Sequence, residues 1–300
     1  MVTRKDIEAG LREIGLSKGD VVVVHSSLSS FGRVDGGAKA VVDAILAVIG
    51  DEGTLVVPTF TYGQSVYDPD ESPSLMGAIP EEVRTRPNAL RSLHPTHSVA
   101  AIGSLADVFT EGHEKVHPFA RGSALFKVLQ ARGKILQLGT THTTSSIIHV
   151  AEEIAAVPYL DRSRYVEYKT PQGKSAHKWV RRPGCSRGFD VLEEALQEAD
   201  AIRETMIGES RVKLMSARAV VDAAVELLKF DQEGLLCDQP DCEVCAEARA
   251  MVAATEAEKQ DKEITELAEE EERLRRVIET RLSGGELKYF EIDDGDHSPN

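Results

Sequence analysis

Helical and strand-like hydrophobic patterns alternate along the first part of the chain. Apolar residues recur at helical spacing in 3–14, and the apolar segment 38–49 predicts a second helix that Gly50 ends. The run V-V-V-V at 21–24 and the apolar stretch at 55–58 predict strands that are buried on both faces. Strand, loop, helix, strand is a βαβ order, so we expect a parallel pair of strands with a ligand-binding face at their carboxyl ends.

The pattern continues as alternating elements up to residue 230. Strands are predicted at 99–102 and 135–139, a hairpin at 165–180, and helices at 105–111, 124–131, 145–156, 189–201 and 217–230. Residues 63–93 are rich in proline, serine and glycine and predict a long loop over the ligand-binding face.

The pattern changes after the last cysteine and divides the chain into four parts. We expect a main domain at 1–235, a cysteine-rich metal-binding loop at 236–246, an acidic helical extension at 247–283 and a disordered tail at 284–300.

Composition and charge narrow the class of protein. At 41% hydrophobic residues the 300-residue chain can bury a core, and no apolar run approaches the roughly 20 residues that cross a bilayer. The N-terminus carries no apolar signal core, so a cytoplasmic location is the default expectation. The net charge of −15 argues against nucleic acid or an anionic membrane as the main partner.

Much of that charge lies at the end of the chain. Residues 251–300 hold 15 acidic and 7 basic side chains, a net of −8. The rest of the chain carries only about half of the charge, which weakens any inference from net charge to a cationic substrate.

Four cysteines suggest a metal site. Cys237, Cys242 and Cys245 are close in sequence, and Cys185 is our choice for a fourth ligand, with His177 as the alternative. Zinc prefers four such ligands in a tetrahedron, so we expect a structural Zn²⁺ that fastens the C-terminal segment to the main domain. The other interpretation is four incidental reduced thiols.

Histidines supply the candidate general bases. His94 and His97 flank Pro95-Thr96 just before a predicted strand, where either could accept a proton or simply fill a polar corner of the core. His149 and Glu152 stand three residues apart, so they share one helix face. An ion pair on a helix surface would have the same spacing, and the second histidine of an H-E-x-x-H zinc site is missing.

Two loop segments could hold a phosphate or a pantetheine amide. They are His25-Ser26-Ser27-Leu28 after the first strand and Gly36-Gly37 before the second helix. Neither matches a Walker A loop or a G-x-G-x-x-G fingerprint.

Four blocks together resemble the aminoglycoside 3-N-acetyltransferase family, whose members use acetyl-CoA and are unrelated to the GNAT acetyltransferases. The blocks are H-S-S-L-S-S-F-G-R-V-D-G-G-A (25–38), R-S-L-H-P-T-H-S-V-A-A-I-G (91–103), G-K-I-L-Q-L-G (133–139) and S-I-I-H-V-A-E (146–152). The likeness covers residues 1–230 and implies an α/β/α sandwich around a mainly parallel sheet.

The resemblance also implies roles for individual residues. It makes His94 the general base for the acceptor amine, with His97 as the competing candidate, and includes the His149 and Glu152 pair in the catalytic set. It implies acetyl-CoA as cosubstrate, held by His25, Ser26, Ser27, Leu28, Gly36, Gly37, Ser98, His113 and Ser146.

Two departures concern the acceptor. Arg121 stands where the family commonly has an acidic residue, which does not favour a polycationic antibiotic, although Arg121 could reach a CoA phosphate. The 63–93 loop differs from that of typical resistance enzymes.

The leading interpretation is an N-acetyltransferase for a small-molecule amine, with no nucleic-acid or membrane partner. The alternatives are a metal-dependent hydrolase built on the histidines and a non-catalytic assembly protein that uses the acidic helix. The sequence leaves the oligomeric state open, a homo-oligomer included.

Overall fold

The computed structural model describes residues 1–62, 66–170 and 172–282. The predicted tail at 284–300 lies outside the described residues. The strands are β1 (Val21–Ser26), β2 (Thr54–Pro58), β3 (Leu90–Arg91), β4 (Val99–Gly103), β5 (Lys134–Leu138), β6 (Ser163–Lys169), β7 (Ser175–Arg181), β8 (Ile202–Ile207) and β9 (Ser210–Ser216). The α-helices in this part of the chain are α1 (Arg4–Glu13), α2 (Gly37–Ile49), α3 (Ala78–Arg84), α4 (Ala106–Thr110), α5 (Ala124–Gln130), α6 (His149–Ala155), α7 (Leu192–Glu198), α8 (Ala217–Phe230) and α9 (Glu243–Leu282).

A mixed sheet in the order β3-β4-β2-β1-β5-β9-β8 forms the centre of the fold. Its three middle strands are parallel, as the βαβ pattern predicts, because β1 pairs in parallel with both β2 and β5. Outside this parallel centre the ladders are antiparallel: β4 pairs with β2, β3 with β4, β9 with β5 and β8 with β9. The predicted parallel arrangement therefore describes the centre of the sheet and not its two flanks.

Both faces of the sheet are covered by helices. Along β1, Val22 and Val24 belong to one buried cluster and Val23 to the other, since successive side chains of a strand point to opposite faces. Helices α1, α2 and α3 pack on the first face, and α4, α5, α6, α7 and α8 pack on the second. This is the α/β/α sandwich that the resemblance implies.

The 63–93 stretch and the segment after α7 contain elements that carried no prediction. Helix α3 and the short strand β3 lie in the first, and the β8–β9 hairpin lies in the second. Strands β6 and β7 form the hairpin that was expected at 165–180.

The chain divides into two units, Met1–Val252 and the residues that follow. Helix α9 begins at Glu243, within the predicted cysteine-rich loop, so that Cys245 lies in its first turn. All four cysteines and all of the candidate site residues belong to the first unit. Within the described part of the chain, no helix combines the length and apolar character that a membrane span needs.

Candidate active site

The sheet topology collects several loops at one edge. The carboxyl ends of β1, β2 and β5 meet there because the three strands are parallel. Strand β4 is antiparallel to β2, so the 92–98 loop that leads into it reaches the same edge. The histidines of that loop therefore lie near the ends of the central strands.

A cavity of about 370 Å³ opens at this edge. Its wall contains Val24, His25, Ser26, Pro58, Phe60, Tyr62, Leu75, Met76, Pro80, His97, Phe119, Thr143, Thr144, Ser146, His149, Pro183, Gly184 and Ser186. The mixture of apolar side chains with a few hydroxyls and imidazoles is typical of a small-molecule site.

His149, in the cavity wall, forms a hydrogen-bonded pair with Glu152, which lies outside the wall. His149 Nδ1 lies 2.7 Å from Glu152 Oε2, and the Tyr159 hydroxyl donates to Glu152 Oε1 at 3.2 Å. Because a carboxylate only accepts, the neutral His149 ring carries its proton on Nδ1 and leaves Nε2 free to accept one from a ligand. Glu152 is fully buried, and the two donors offset the cost of burying its charge.

Local structure fixes the orientation of the His149 ring. Helix α6 begins at His149 and Glu152 follows one turn later, which places both side chains on one face. The Phe119 ring stacks on the imidazole with centroids 4.8 Å apart, and the Phe189 ring meets it edge-on at 4.9 Å. The imidazole is thus held by packing as well as by its carboxylate.

His94 lies inside the 92–98 loop and not in the cavity wall. Its ring is fully buried, and its Nδ1 accepts a hydrogen bond from the backbone N–H of His97 at 3.1 Å. Burial, with His113 and His97 nearby, lowers the pKa of His94 well below the usual value for histidine. In this position the neutral ring stabilises the turn around Pro95-Thr96.

His97 does belong to the cavity wall. Its Nδ1 lies 2.7 Å from the Thr96 hydroxyl, and its ring packs against Phe60 and Phe119. Burial and the nearby His149 lower the pKa of His97. The neutral ring can therefore exchange a hydrogen bond with a ligand without adding charge to the site.

The structure separates the remaining predicted site residues into two groups. Five members of the predicted set line the cavity: His25, Ser26, His97, Ser146 and His149. Outside the wall lie Ser27, Leu28, Gly36, Gly37, His94, Ser98, His113 and Glu152. Of these, Ser98 donates to the Thr59 carbonyl at 2.9 Å, and His113 bridges Ser92 and the Pro118 carbonyl at 3.0 and 3.1 Å.

Two buried polar atoms in the cavity wall have no hydrogen-bond partner among the described residues. They are His25 Nε2 and the Ser26 hydroxyl. Burial lowers the pKa of His25 to about 4, so its ring is neutral near pH 7. Buried polar groups without a protein partner are suited to receive a ligand.

Several wall residues carried no prediction from the sequence. Thr143 and Thr144 follow β5, and Pro183, Gly184 and Ser186 follow β7. The position of Thr143 and Thr144 after a central strand was a usable signal, whereas nothing in the sequence places the 183–186 segment beside α6.

Arg121 does not belong to the cavity wall. Its guanidinium lies 5.9 Å from the centre of the Phe126 ring.

The four cysteines form a compact cluster. Their sulfur atoms all lie within 4.8 Å of one another, and Cys185 Sγ is 3.8 Å from Cys237 Sγ. The backbone N–H of Cys245 lowers the pKa of Cys242 to about 7, whereas burial raises the pKa of Cys185 and of Cys245. His177, the alternative fourth ligand, stacks instead on Tyr165 with centroids 5.2 Å apart.

Comparisons with known proteins agree on one family. The model of the family described as aminoglycoside 3-N-acetyltransferase matches residues 23–229. The aminoglycoside N(3)-acetyltransferase III of Acinetobacter baumannii is 32% identical over 267 residues, which cover 76% of this chain and 92% of that protein.

Two solved structures share the fold. The aminoglycoside acetyltransferase AAC(3)-IVa, in a His-to-Ala variant bound to a gentamicin, is 27% identical with a TM-score of 0.77, covering 83% of this chain and 97% of its own. The binary complex of AAC-IIIb with CoASH is 26% identical with a TM-score of 0.70, covering 76% of this chain and 96% of its own.

Proposed function

The chain belongs to the aminoglycoside 3-N-acetyltransferase family, and on this premise we propose that His149 and Glu152 carry its catalysis. The reaction is acetyl transfer from acetyl-CoA to an amino group of a small-molecule acceptor, an aminoglycoside or a related amine. The observation that carries the proposal is the buried Glu152 carboxylate 2.7 Å from His149 Nδ1, on a histidine that lines the cavity.

His149 would act as the general base. Its Nε2 takes the proton from the acceptor amine as the nitrogen attacks the thioester carbonyl, so that a C–N bond forms before the C–S bond breaks. The proton then passes from Nε2 to the departing sulfur. Glu152 stabilises the imidazolium between these two steps, so no covalent enzyme intermediate is required.

Because His94 is buried outside the cavity wall, we propose His149 and not His94 as the general base. The ring of His94 is fully buried, and its Nδ1 accepts from a backbone N–H. Its buried Nε2 has no hydrogen-bond partner among the described residues, so no carboxylate is bonded to this ring. His97 reaches the cavity but has only the Thr96 hydroxyl beside its Nδ1, and a hydroxyl stabilises an imidazolium less than a carboxylate does. We assign His97 to hydrogen bonding with a bound substrate.

The cavity wall suits the cosubstrate at several points. His25 Nε2 and the Ser26 hydroxyl are the unpartnered buried atoms described above, and an amide of the pantetheine arm could satisfy both. Thr143, Thr144 and Ser146 line the same cavity. The Thr144 hydroxyl donates to the Thr141 carbonyl at 3.0 Å, so Thr143 and Ser146 carry the hydroxyls that we assign to stabilising an oxyanion.

A thiol-release assay with acetyl-CoA and a panel of amines tests the function. No carboxylate belongs to the cavity wall among the described residues, so the panel should combine aminoglycosides with amines of low charge. We expect thiol release that depends on an acceptor and a product carrying one added acetyl group. Thiol release that no amine of the panel increases would contradict the proposal.

Neither alternative function has a specific observation in its favour. A catalytic metal held by histidines needs several of them together, and the metal-capable cluster found within the described residues consists of the four cysteines. The described residues of the acidic helix, proposed as an assembly element, show no feature that identifies a partner.

We also propose that the four cysteines bind a structural Zn²⁺. A zinc–sulfur bond of about 2.3 Å in a tetrahedron requires sulfur atoms about 3.8 Å apart. The distance between Cys185 and Cys237 matches this value, and all four sulfurs lie within 4.8 Å. Such a site would stabilise the fold and supply no chemistry to the reaction.

Metal analysis of the purified protein tests this second proposal. We expect one equivalent of zinc per chain and a lower melting temperature after chelation, since binding to the native state adds to its stability. Protein without zinc that melts at the same temperature with and without a chelator would contradict it.

A further inference from the structure

The loop that carries Cys185 also forms part of the active-site wall. We define residues 183–189, between β7 and α7, as the wall segment. Pro183, Gly184 and Ser186 line the cavity, and Cys185 stands between them. One segment therefore supplies both a ligand of the cysteine cluster and a surface of the catalytic cavity.

The wall segment contacts both members of the catalytic pair. A Cβ atom added to Gly184 would lie 2.9 Å from Glu152 Oε1 and 3.3 Å from the Tyr159 ring, so the backbone passes directly against the carboxylate. At the other end of the segment, the Phe189 ring meets the His149 ring with centroids 4.9 Å apart. A displacement of this segment would therefore change the packing around both Glu152 and His149.

The same segment is fastened to the C-terminal part of the first unit. A Cβ atom on Gly188 would lie 2.6 Å from the Leu235 carbonyl, which shows how closely the segment passes that chain. Cys237 follows Leu235 by two residues, and its Sγ lies 3.8 Å from Cys185 Sγ. The backbone N–H of Cys237 donates to Cys245 Sγ at 3.3 Å. The two segments therefore meet at Gly188 and at the cysteine cluster.

We propose that a divalent metal held by the four cysteines positions the catalytic pair, because it fixes the wall segment against His149 and Glu152. Cys185 is then a positioning residue that acts through the segment and does not touch the substrate. Only the catalytic readout of this inference rests on the proposed function. The metal and backbone readouts are independent of it.

The test compares the full-length protein with three variants. Cys185→Ala releases the wall segment from the metal, and Cys185→His restores a ligand, since zinc accepts three cysteines and one histidine. Arg187→Ala is the matched control in the same segment, because only the backbone N–H of Arg187 approaches Cys185 Sγ. Its exposed guanidinium lies 3.9 Å from the exposed Asp241 carboxylate, and an exposed ion pair of this kind contributes little to stability. Each protein is loaded with Co²⁺, whose charge-transfer absorption reports the number of bound thiolates.

Hydrogen exchange at residues 184–189 and steady-state kinetics complete the measurement. For Cys185→Ala we expect one thiolate fewer, exchange in the segment faster by on the order of tenfold, and kcat lower by roughly 10- to 100-fold. Cys185→His should recover most of the protection and of kcat, and Arg187→Ala should match the wild type. If Cys185→Ala leaves exchange and kcat unchanged, the inference is wrong.

Two further outcomes are also decisive. If Cys185→Ala unfolds, hydrogen exchange will also be faster in β1 and β5, and wild-type protein treated with a chelator is then measured instead. Exchange in the chelated protein that rises only at 184–189 supports the inference. Unchanged exchange at 184–189 overturns it. Wild-type protein that transfers acetyl to no amine would contradict the proposed function, while the cobalt and exchange results would still decide the role of the cysteines.

Discussion

Burial lowers the pKa of several histidines of this chain. His25 and His113 are enclosed, and burial lowers the pKa of each to about 4. His94 and His97 are shifted in the same direction. The Nδ1 of His149 lies against the buried Glu152 carboxylate, and a carboxylate stabilises the charge that a general base acquires.

The buried histidines predict how stability depends on pH. A histidine whose pKa is lower in the folded than in the unfolded state contributes stability that is complete above about pH 6.5 and is lost as the pH falls toward 4. Between these values the unfolded chain binds a proton at His113 that the native state does not. The free energy of unfolding should therefore rise with pH by about 1.4 kcal/mol per unit for this residue.

Urea unfolding of wild type and His113→Gln between pH 4.5 and 8 measures this contribution. Below pH 6, we expect the free energy of unfolding of the variant to rise with pH less steeply than that of the wild type, by roughly 1 kcal/mol per pH unit. Above pH 7 the two slopes should coincide. Glutamine keeps a donor for the Pro118 carbonyl, so the fold should persist. Equal slopes below pH 6 would contradict a neutral buried His113.

The candidate site could be predicted only in part at the level of residues. The spacing of His149 and Glu152 is visible in the sequence and placed both on one face of a helix. The choice between His94 and His149 depends on which ring borders the cavity, and that follows from the packing of distant segments. Tyr159, which donates to Glu152, gave no signal because a single tyrosine in a loop has many uses.

Elements with strong hydrophobic periodicity were predicted well, and short or half-exposed ones were not. Helix α8 and strand β4 closely match their expected ranges, since both are buried along a clear repeat. Strand β8 alternates only weakly between buried and exposed positions, so its pattern is faint. The two-residue connection at Gly208-Glu209 was the one usable signal for the β8–β9 hairpin.

Gly139 gives a testable requirement at the level of elements. It ends β5 with a φ of 64°, and a Cβ atom there would lie 1.9 Å from the Ser30 hydroxyl and 2.8 Å from that of Ser210. These two hydroxyls are hydrogen-bonded at 2.8 Å and join the loop after β1 to β9. The site edge of the sheet therefore has no room for a side chain at this position.

We expect Gly139→Ala to lower the free energy of unfolding by more than Gly112→Ala does. Gly112 has a similar φ of 73° with no atom within 4 Å of an added Cβ, so that variant isolates the backbone cost of about 1 kcal/mol. The contact at Gly139 should add roughly 1–3 kcal/mol of overpacking. Urea denaturation monitored by circular dichroism measures the free energy of unfolding of both variants. An equal decrease in the two variants would contradict the prediction, because it would show that the Ser30 side chain moves aside without a loss of stability.

At the scale of the whole molecule, the first unit contains everything that the proposed chemistry uses. The parallel centre of the sheet brings His25 and Ser26 to the cavity, and the second face supplies α6 with the pair that we propose as catalytic. The α/β class and this parallel centre could be predicted because buried parallel strands are almost wholly apolar. The antiparallel flanks could not, since strand order depends on contacts between segments far apart in sequence.

Acetyl transfer by His149→Gln, measured in a single turnover with acetyl-CoA bound, tests the central claim most directly. We expect a rate lower by roughly 10²- to 10⁴-fold, the usual contribution of a general base, with CoA affinity by calorimetry unchanged. We also expect that His94→Gln melts at a lower temperature but keeps its rate. A His149→Gln enzyme that transfers acetyl at the wild-type rate would contradict the account.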